Sequence, residues 1–176
     1  VQRMPIKRQL KLATKIKRLI PKGKKVLFVC VGTDRSTGDS LGPLVGTALK
    51  KLKFDVLGTL DEPVHAMNIA ETLTQIEKNY PNHFVIAVDA SLGDFKNVGD
   101  IEVACGALKP GEGVGKELPT VGDAHIYGIV NVGGFMEYFV LQNTRLSFVM
   151  KMASQIADAC HKAIRGKGRG RVRKGT

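Results

Sequence analysis

Two loops of this chain carry aspartates at the end of an apolar run. VLFVCVGTDRSTGDSLGP (26–43) and FVIAVDASLGD (84–94) share one plan: a run rich in β-branched residues that spills into a turn bearing carboxylates. In a parallel sheet such loops emerge at the carboxyl edge of the strands, where ligands bind at a topological switch point. Asp39 and Asp89 are therefore the candidate reacting groups. If the first and third strands are neighbours, both carboxylates face one crevice; they cannot both ionise cheaply, so one keeps a proton. Such a dyad titrates as a unit, and it can supply a general base for water and a general acid for a leaving amine. With an imidazole alongside, the same pair can instead hold a divalent cation. Each residue also has a purely structural reading: Asp39 precedes a helix and can cap it, and Asp89 can anchor a loop.

Two histidines can supply that imidazole, His65 in EPVHAMN and His125 in GDAHIYG. Glu62 and Asn68 share the location of His65, and Asp34 lies in the first loop; His83 and His161 are expected to face solvent. The segment from Cys30 to Arg35 looks like the phosphate loop of a low-molecular-weight tyrosine phosphatase. That loop needs five residues between cysteine and arginine, whereas only Val31 to Asp34 intervene here, and an acid among them would repel the anion. The glycine-rich stretch 109–123 does not open a strand-to-helix turn with the spacing of a dinucleotide loop.

Positioning these groups requires alternating strands and helices. Strands are expected at 25–31, 55–60, 84–89, 100–108 and 125–131, the third an unbroken apolar run of the kind buried on both faces. Helices are expected to begin near Gly42-Pro43 and to run over 64–79, 134–142 and 144–165. This alternation predicts an α/β domain, a mostly parallel sheet covered on both sides. Residues 6–20 place Ile6, Leu10, Ala13, Ile16 or Lys17, and Ile20 at helical spacing among lysines and arginines. Such a helix can pack its stripe on the domain, or lie on an anionic membrane or along nucleic acid. The layout divides into a basic N-terminal extension (1–24), one domain (25–165) and a basic tail (166–176).

The chain has 176 residues, 43% of them hydrophobic, enough for one core without disulfides. Its three cysteines, Cys30, Cys105 and Cys160, show no metal-ligand spacing, and Cys30 and Cys105 fall in apolar runs. Unpaired thiols imply a reducing, cytoplasmic setting. The net charge of +11 comes from the ends: 1–25 hold ten Lys/Arg and 165–176 hold six, with no acid in either segment. Residues 26–164 carry a net −5. A DNA-reading domain is expected to carry its positive charge on the folded surface, and this pattern places it outside.

VLFVCVGTDRSTGDSLGPLVG, GTLDEPVHAMN, VIAVDASLGD, KPGEGVGKELPTVGD and GIVNVGGFMEYFVLQNTRLSFVMKMA together resemble the YyaC-like sporulation proteins, over about 26–160. These are relatives of the spore germination protease and, more distantly, of the hydrogenase-maturation endopeptidases. The resemblance implies a three-layer α/β/α sandwich of the phosphorylase/hydrolase-like type. It matches GDSLGP and VDA to the protease's two catalytic acids, at Asp39 and Asp89, with Asp34 and His65 or His125 around them. The hydrogenase-maturation enzymes hold nickel through two such acids and a histidine, which implies a nickel- or zinc-like site at Asp39, Asp89 and His125. Implied partners are a protein or peptide substrate, such as small spore proteins, and a second copy of the chain. Two alternatives stand beside a peptidase: a non-enzymatic peptide binder on the same fold, and a factor that meets nucleic acid through its basic ends.

Overall fold

The computed structural model describes residues 6–111 and 118–166, with side chains from Leu10 onward. The expected tail beyond Gly166 and the centre of the glycine-rich loop, 112–117, lie outside the described residues. Helix α1 (Ile6–Leu19) leads to strand β1 (Val26–Cys30), a 3-10 turn (Gly38–Ser40), α2 (Leu41–Lys51) and β2 (Asp55–Leu57). Then come α3 (Ile69–Asn79), β3 (Phe84–Gly93), β4 (Ile101–Cys105), β5 (Ala124–Val132), α4 (Glu137–Gln142) and α5 (Leu146–Arg165).

The five strands form one sheet in the order β2-β1-β3-β5-β4, parallel except for β4 at one edge. Alternation along β1 and β3 assigns the two faces, as the period of two in a pleated strand requires. Val26, Phe28, Cys30, Ile86 and Val88 point into a core closed by α1, α2 and α5. Leu27, Val29, Val85 and Ala87 point to the other side, where Ile69 and Ile76 of α3 cover them. Helices on both faces make the expected three layers. The crossover through α2 carries the chain from β1 to β2 on one side, and the crossover through α3 carries it back past β1 to β3. The switch point therefore lies between β1 and β3, which pair over five residues from Val26↔Phe84 to Cys30↔Val88.

Several expectations need correction. Helix α1 packs its stripe on the domain, with Leu12, Ala13 and Ile16 buried in the main core against α5, but the anticipated stripe residue Leu10 is 55% exposed. Helix α3 starts at Ile69 rather than 64, because Val64 bridges in parallel to Val31 and residues 65–68 turn before the helix begins. Strand β3 runs on to Gly93, since β5 continues beside it to Val132. Cys105, at the far end of edge strand β4, is exposed. His83 is largely covered: its ring packs on Tyr80 and its Nε2 lies 3.2 Å from Asp55 Oδ2. His161 is half-buried against Phe54. No helix among the described residues is long and apolar enough to cross a membrane.

Candidate active site

Asp89 sits on β3 one residue beyond the last pairing with β1, where the strand leaves its β1 neighbour and keeps only β5. In the alternation of β3 it follows Val85 and Ala87 on the α3 face. Its carboxylate is buried, 8% exposed, and Oδ1 accepts a hydrogen bond from the Ala90 amide at 2.8 Å. Burial pushes the Asp89 pKa well above the usual carboxylate range. The Ala90 hydrogen bond opposes that shift, and the negative charge of Asp39 adds to it. Burial and the neighbouring carboxylate therefore both favour the protonated form of Asp89.

Asp39 reaches the same place from the other strand. The loop after β1 turns back so that the Thr33 amide donates to the Asp39 carbonyl at 3.2 Å. Gly32 makes this possible: its φ is +142°, and a Cβ there would stand 2.0 Å from the Asp39 carbonyl oxygen. Gly42 lets the start of α2 lie against the end of β1, since a Cβ would fall 1.9 Å from the Val31 carbonyl oxygen. The residue at the N-cap position of α2 is Ser40, one beyond Asp39.

Asp39 and Asp89 line one cavity of about 460 Å3 at the carboxyl edge of the sheet. His65 lines it too, put there by the Val31↔Val64 bridge and by Asn68, whose Oδ1 accepts from the His65 amide at 2.8 Å. His65 Nδ1 accepts from the Met67 amide at 3.2 Å, so in the neutral ring Nε2 carries the proton and can donate it. Three further lining residues escaped the sequence reading: Tyr127, Lys109 and Tyr138. Tyr127 is the β5 residue in register with Asp89.

The remaining candidates are not in this cavity. His125 shares a strand face with Tyr127 but sits two residues earlier, level with Ala87, and its Nδ1 lies 2.8 Å from the Gly106 carbonyl oxygen. Asp34 is exposed and outside the cavity lining. Glu62 is exposed and pairs with Lys50 at 3.5 Å.

The donor set among the described residues does not fit the divalent metal that the resemblance implies. Among the described residues no group of three or more His, Cys, Asp or Glu side chains gathers in a way that can hold an ion. His125 is displaced along its strand, and in the neutral His65 ring the Nδ1 lone pair is already taken by the Met67 amide. Cysteine chemistry is equally unsupported. Burial, with Cys160 nearby, drives the Cys30 thiol well above its ordinary value, and burial pushes Cys160 up to about 12. Neither is a thiolate at physiological pH.

Residues 4–159 match the family described as "Protein of unknown function (DUF1256)". The chain belongs to this family. It is 60% identical over 139 residues, 77% of this chain and 68% of the relative, to "Uncharacterized protein YyaC" of Bacillus subtilis (strain 168). Among solved structures it is similar to the [NiFe] hydrogenase maturation protease HycI from Thermococcus kodakarensis KOD1, with a TM-score of 0.52 and 17% identity, covering 82% of this chain and 97% of that one. The maturation protease HybD from Thermococcus kodakarensis gives a TM-score of 0.47 at 12% identity, covering 79% and 99%. The likeness to HycI is one of fold. The family match begins well before β1, in keeping with α1 packing into the core.

Proposed function

We propose that this protein is a peptide hydrolase that uses Asp39 and Asp89 as an acid–base pair. The observation that carries the reading is a buried Asp89 that lines the switch-point cavity together with Asp39, where burial and that second carboxylate both raise its pKa. The Asp39 carboxylate takes a proton from water as the water oxygen bonds to the scissile carbonyl carbon. Asp89 gives its proton to the carbonyl oxygen, forming a neutral tetrahedral diol. Asp39, now protonated, passes that proton to the amine nitrogen as the C–N bond breaks, and a diol hydroxyl returns its proton to Asp89. One water is consumed and the pair ends in its starting state. In this reading His65 Nε2 donates to the substrate oxygen and Lys109 lowers the energy of negative charge developing there, both being residues of the cavity lining.

A polypeptide substrate is supported by the rim of the cavity. Tyr138 lines it, and Phe135, Met136 and Phe139 beside Tyr138 are all more than half exposed, an apolar surface that a flexible chain can lie on. A substrate among the small basic spore proteins, in the cytoplasm of a sporulating cell, rests on the family resemblance alone. The test is cleavage of such proteins, and of an unfolded general substrate, by the wild-type chain and by Asp39→Asn and Asp89→Asn. Hydrolysis lost in both variants with the fold intact is the expected result. Equal hydrolysis in all three removes the pair from the mechanism. Tight peptide binding with no turnover in any of them favours the non-enzymatic binder, which the exposed rim would serve equally well.

A further inference from the structure

Part of the charge that looks confined to the chain ends is gathered by the fold into one groove. At the amino edge of the sheet, opposite the aspartates, lies a depression of about 560 Å3. Lys17, Lys22, Lys24, Lys25, Lys53 and Arg165 line it. They come from three separated segments: the end of α1 with the turn that follows, the link between α2 and β2, and the end of α5. Burial of α1 on α5 brings the first and third together. The second is fastened by Arg165, which donates to the carbonyls of Leu52 and Lys53 and stacks 4.2 Å above the Phe54 ring. Lys53 is held there in the left-handed region, at φ +64°. Asp55 is the single acid in the lining, and it faces His83.

We infer that this groove is a second binding site, for the phosphodiester backbone of a nucleic acid. Six cations against one acid already engaged elsewhere match a polyanion with closely spaced charges, and the contacts carry no base-reading element, so binding is independent of sequence. The chain leaves the described structure at Gly166, one residue after Arg165. The ten residues that follow contain five more Lys/Arg, alternate with glycine in KGRGR and have no acid. A membrane surface is a poorer match. The apolar face that α1 would have to insert into lipid, Leu12, Ala13 and Ile16, is already buried in the core. Strand β1, at ~3.3 Å per residue, puts roughly 17 Å between groove and aspartates, so occupation of one leaves the other open.

The test is fluorescence anisotropy of a labelled 20-base-pair duplex with the full chain, between 50 and 300 mM salt. Lys22→Gln, Lys24→Gln and Lys25→Gln are combined in one variant, and Lys78→Gln, Lys96→Gln and Lys151→Gln, outside the groove, make a control of equal net charge. The groove variant is expected to reduce the slope of log K against log salt by about 2.7 and to weaken binding at 100 mM salt at least ~10-fold; the control stays near wild type. As a second reading, bound duplex should protect Lys22, Lys24 and Lys25 from acetylation. Equal losses in both variants, a groove variant that binds like wild type, or absence of duplex binding at 50 mM salt would each overturn the assignment. So would tight binding to phosphatidylserine vesicles that the duplex does not displace.

Discussion

Replacing Asp89 by asparagine should change the pH dependence of stability in a direction that most carboxylate substitutions would not. In the unfolded chain Asp89 releases its proton near the ordinary value of about 3.9. In the folded chain, burial and the Asp39 charge keep the proton on to a well higher pH. Between those two values the native state binds one more proton than the unfolded state, so unfolding free energy falls as pH rises. The full slope for one proton is about 1.4 kcal/mol per pH unit. For a domain of this size that is a fall in Tm of roughly 3–6 °C per pH unit. The effect is absent below the unfolded value, where both states hold the proton, and it stops growing above the folded value, where neither does. Asparagine mimics the protonated acid in shape and charge and cannot titrate. Subtracting the urea-unfolding free energies of wild type from those of Asp89→Asn, measured at half-unit intervals from pH 3 to 9, cancels every carboxylate that does not interact with residue 89. The difference should rise above about pH 4 and then level off in favour of the variant. In an Asp39→Asn background the plateau should come sooner and be smaller, because one of the causes of the shift has gone. A flat difference, or one that favours wild type as pH rises, would refute a buried acid and with it the proposed proton donor.

Other consequences are simpler to measure. Gly32→Ala should cost about 1–3 kcal/mol from the positive φ alone, and more from the clash with the Asp39 carbonyl; hydrolysis should fall by a larger factor than stability explains, read as kcat against urea midpoint. In the native protein a thiol reagent should modify one cysteine rapidly, the exposed Cys105, with Cys30 and Cys160 reacting only on unfolding; mass spectrometry of the labelled peptides checks it. Treatment with a strong chelator should leave hydrolysis unchanged, since the described donors gather no three-ligand set; loss restored by nickel or zinc would contradict the metal-free mechanism.

The strands nearest the reaction were the most legible. Val26–Cys30 and Phe84–Val88 are apolar on both faces because helices cover both sides, and the candidate acids follow those runs. What was hidden depends on depth along a strand and on contacts remote in sequence. His125 and Tyr127 share a face, and nothing in AHIYG says that the tyrosine rather than the histidine reaches the level of Asp89; the register with β3 decides it. His65 enters the cavity because Val64 pairs with Val31, a bridge between residues more than thirty apart. In α1 the spacing picks out Ala13 and Ile16, which are buried, but names Leu10 where Leu12 is the buried leucine, since the partner surface on α5 lies at the opposite end of the chain. The same packing turned an apparently detached basic segment into one wall of a groove.

The claim on which the account rests is the shared proton of residues 39 and 89. Carbon-13 NMR titration of the aspartate side-chain carboxyls, with Asp89 assigned through Asp89→Asn, addresses it directly. The account predicts a resonance that titrates well above the ordinary carboxylate range and moves back toward it in Asp39→Asn. An Asp89 carboxyl that titrates near pH 4, unaffected by the change at residue 39, would contradict it.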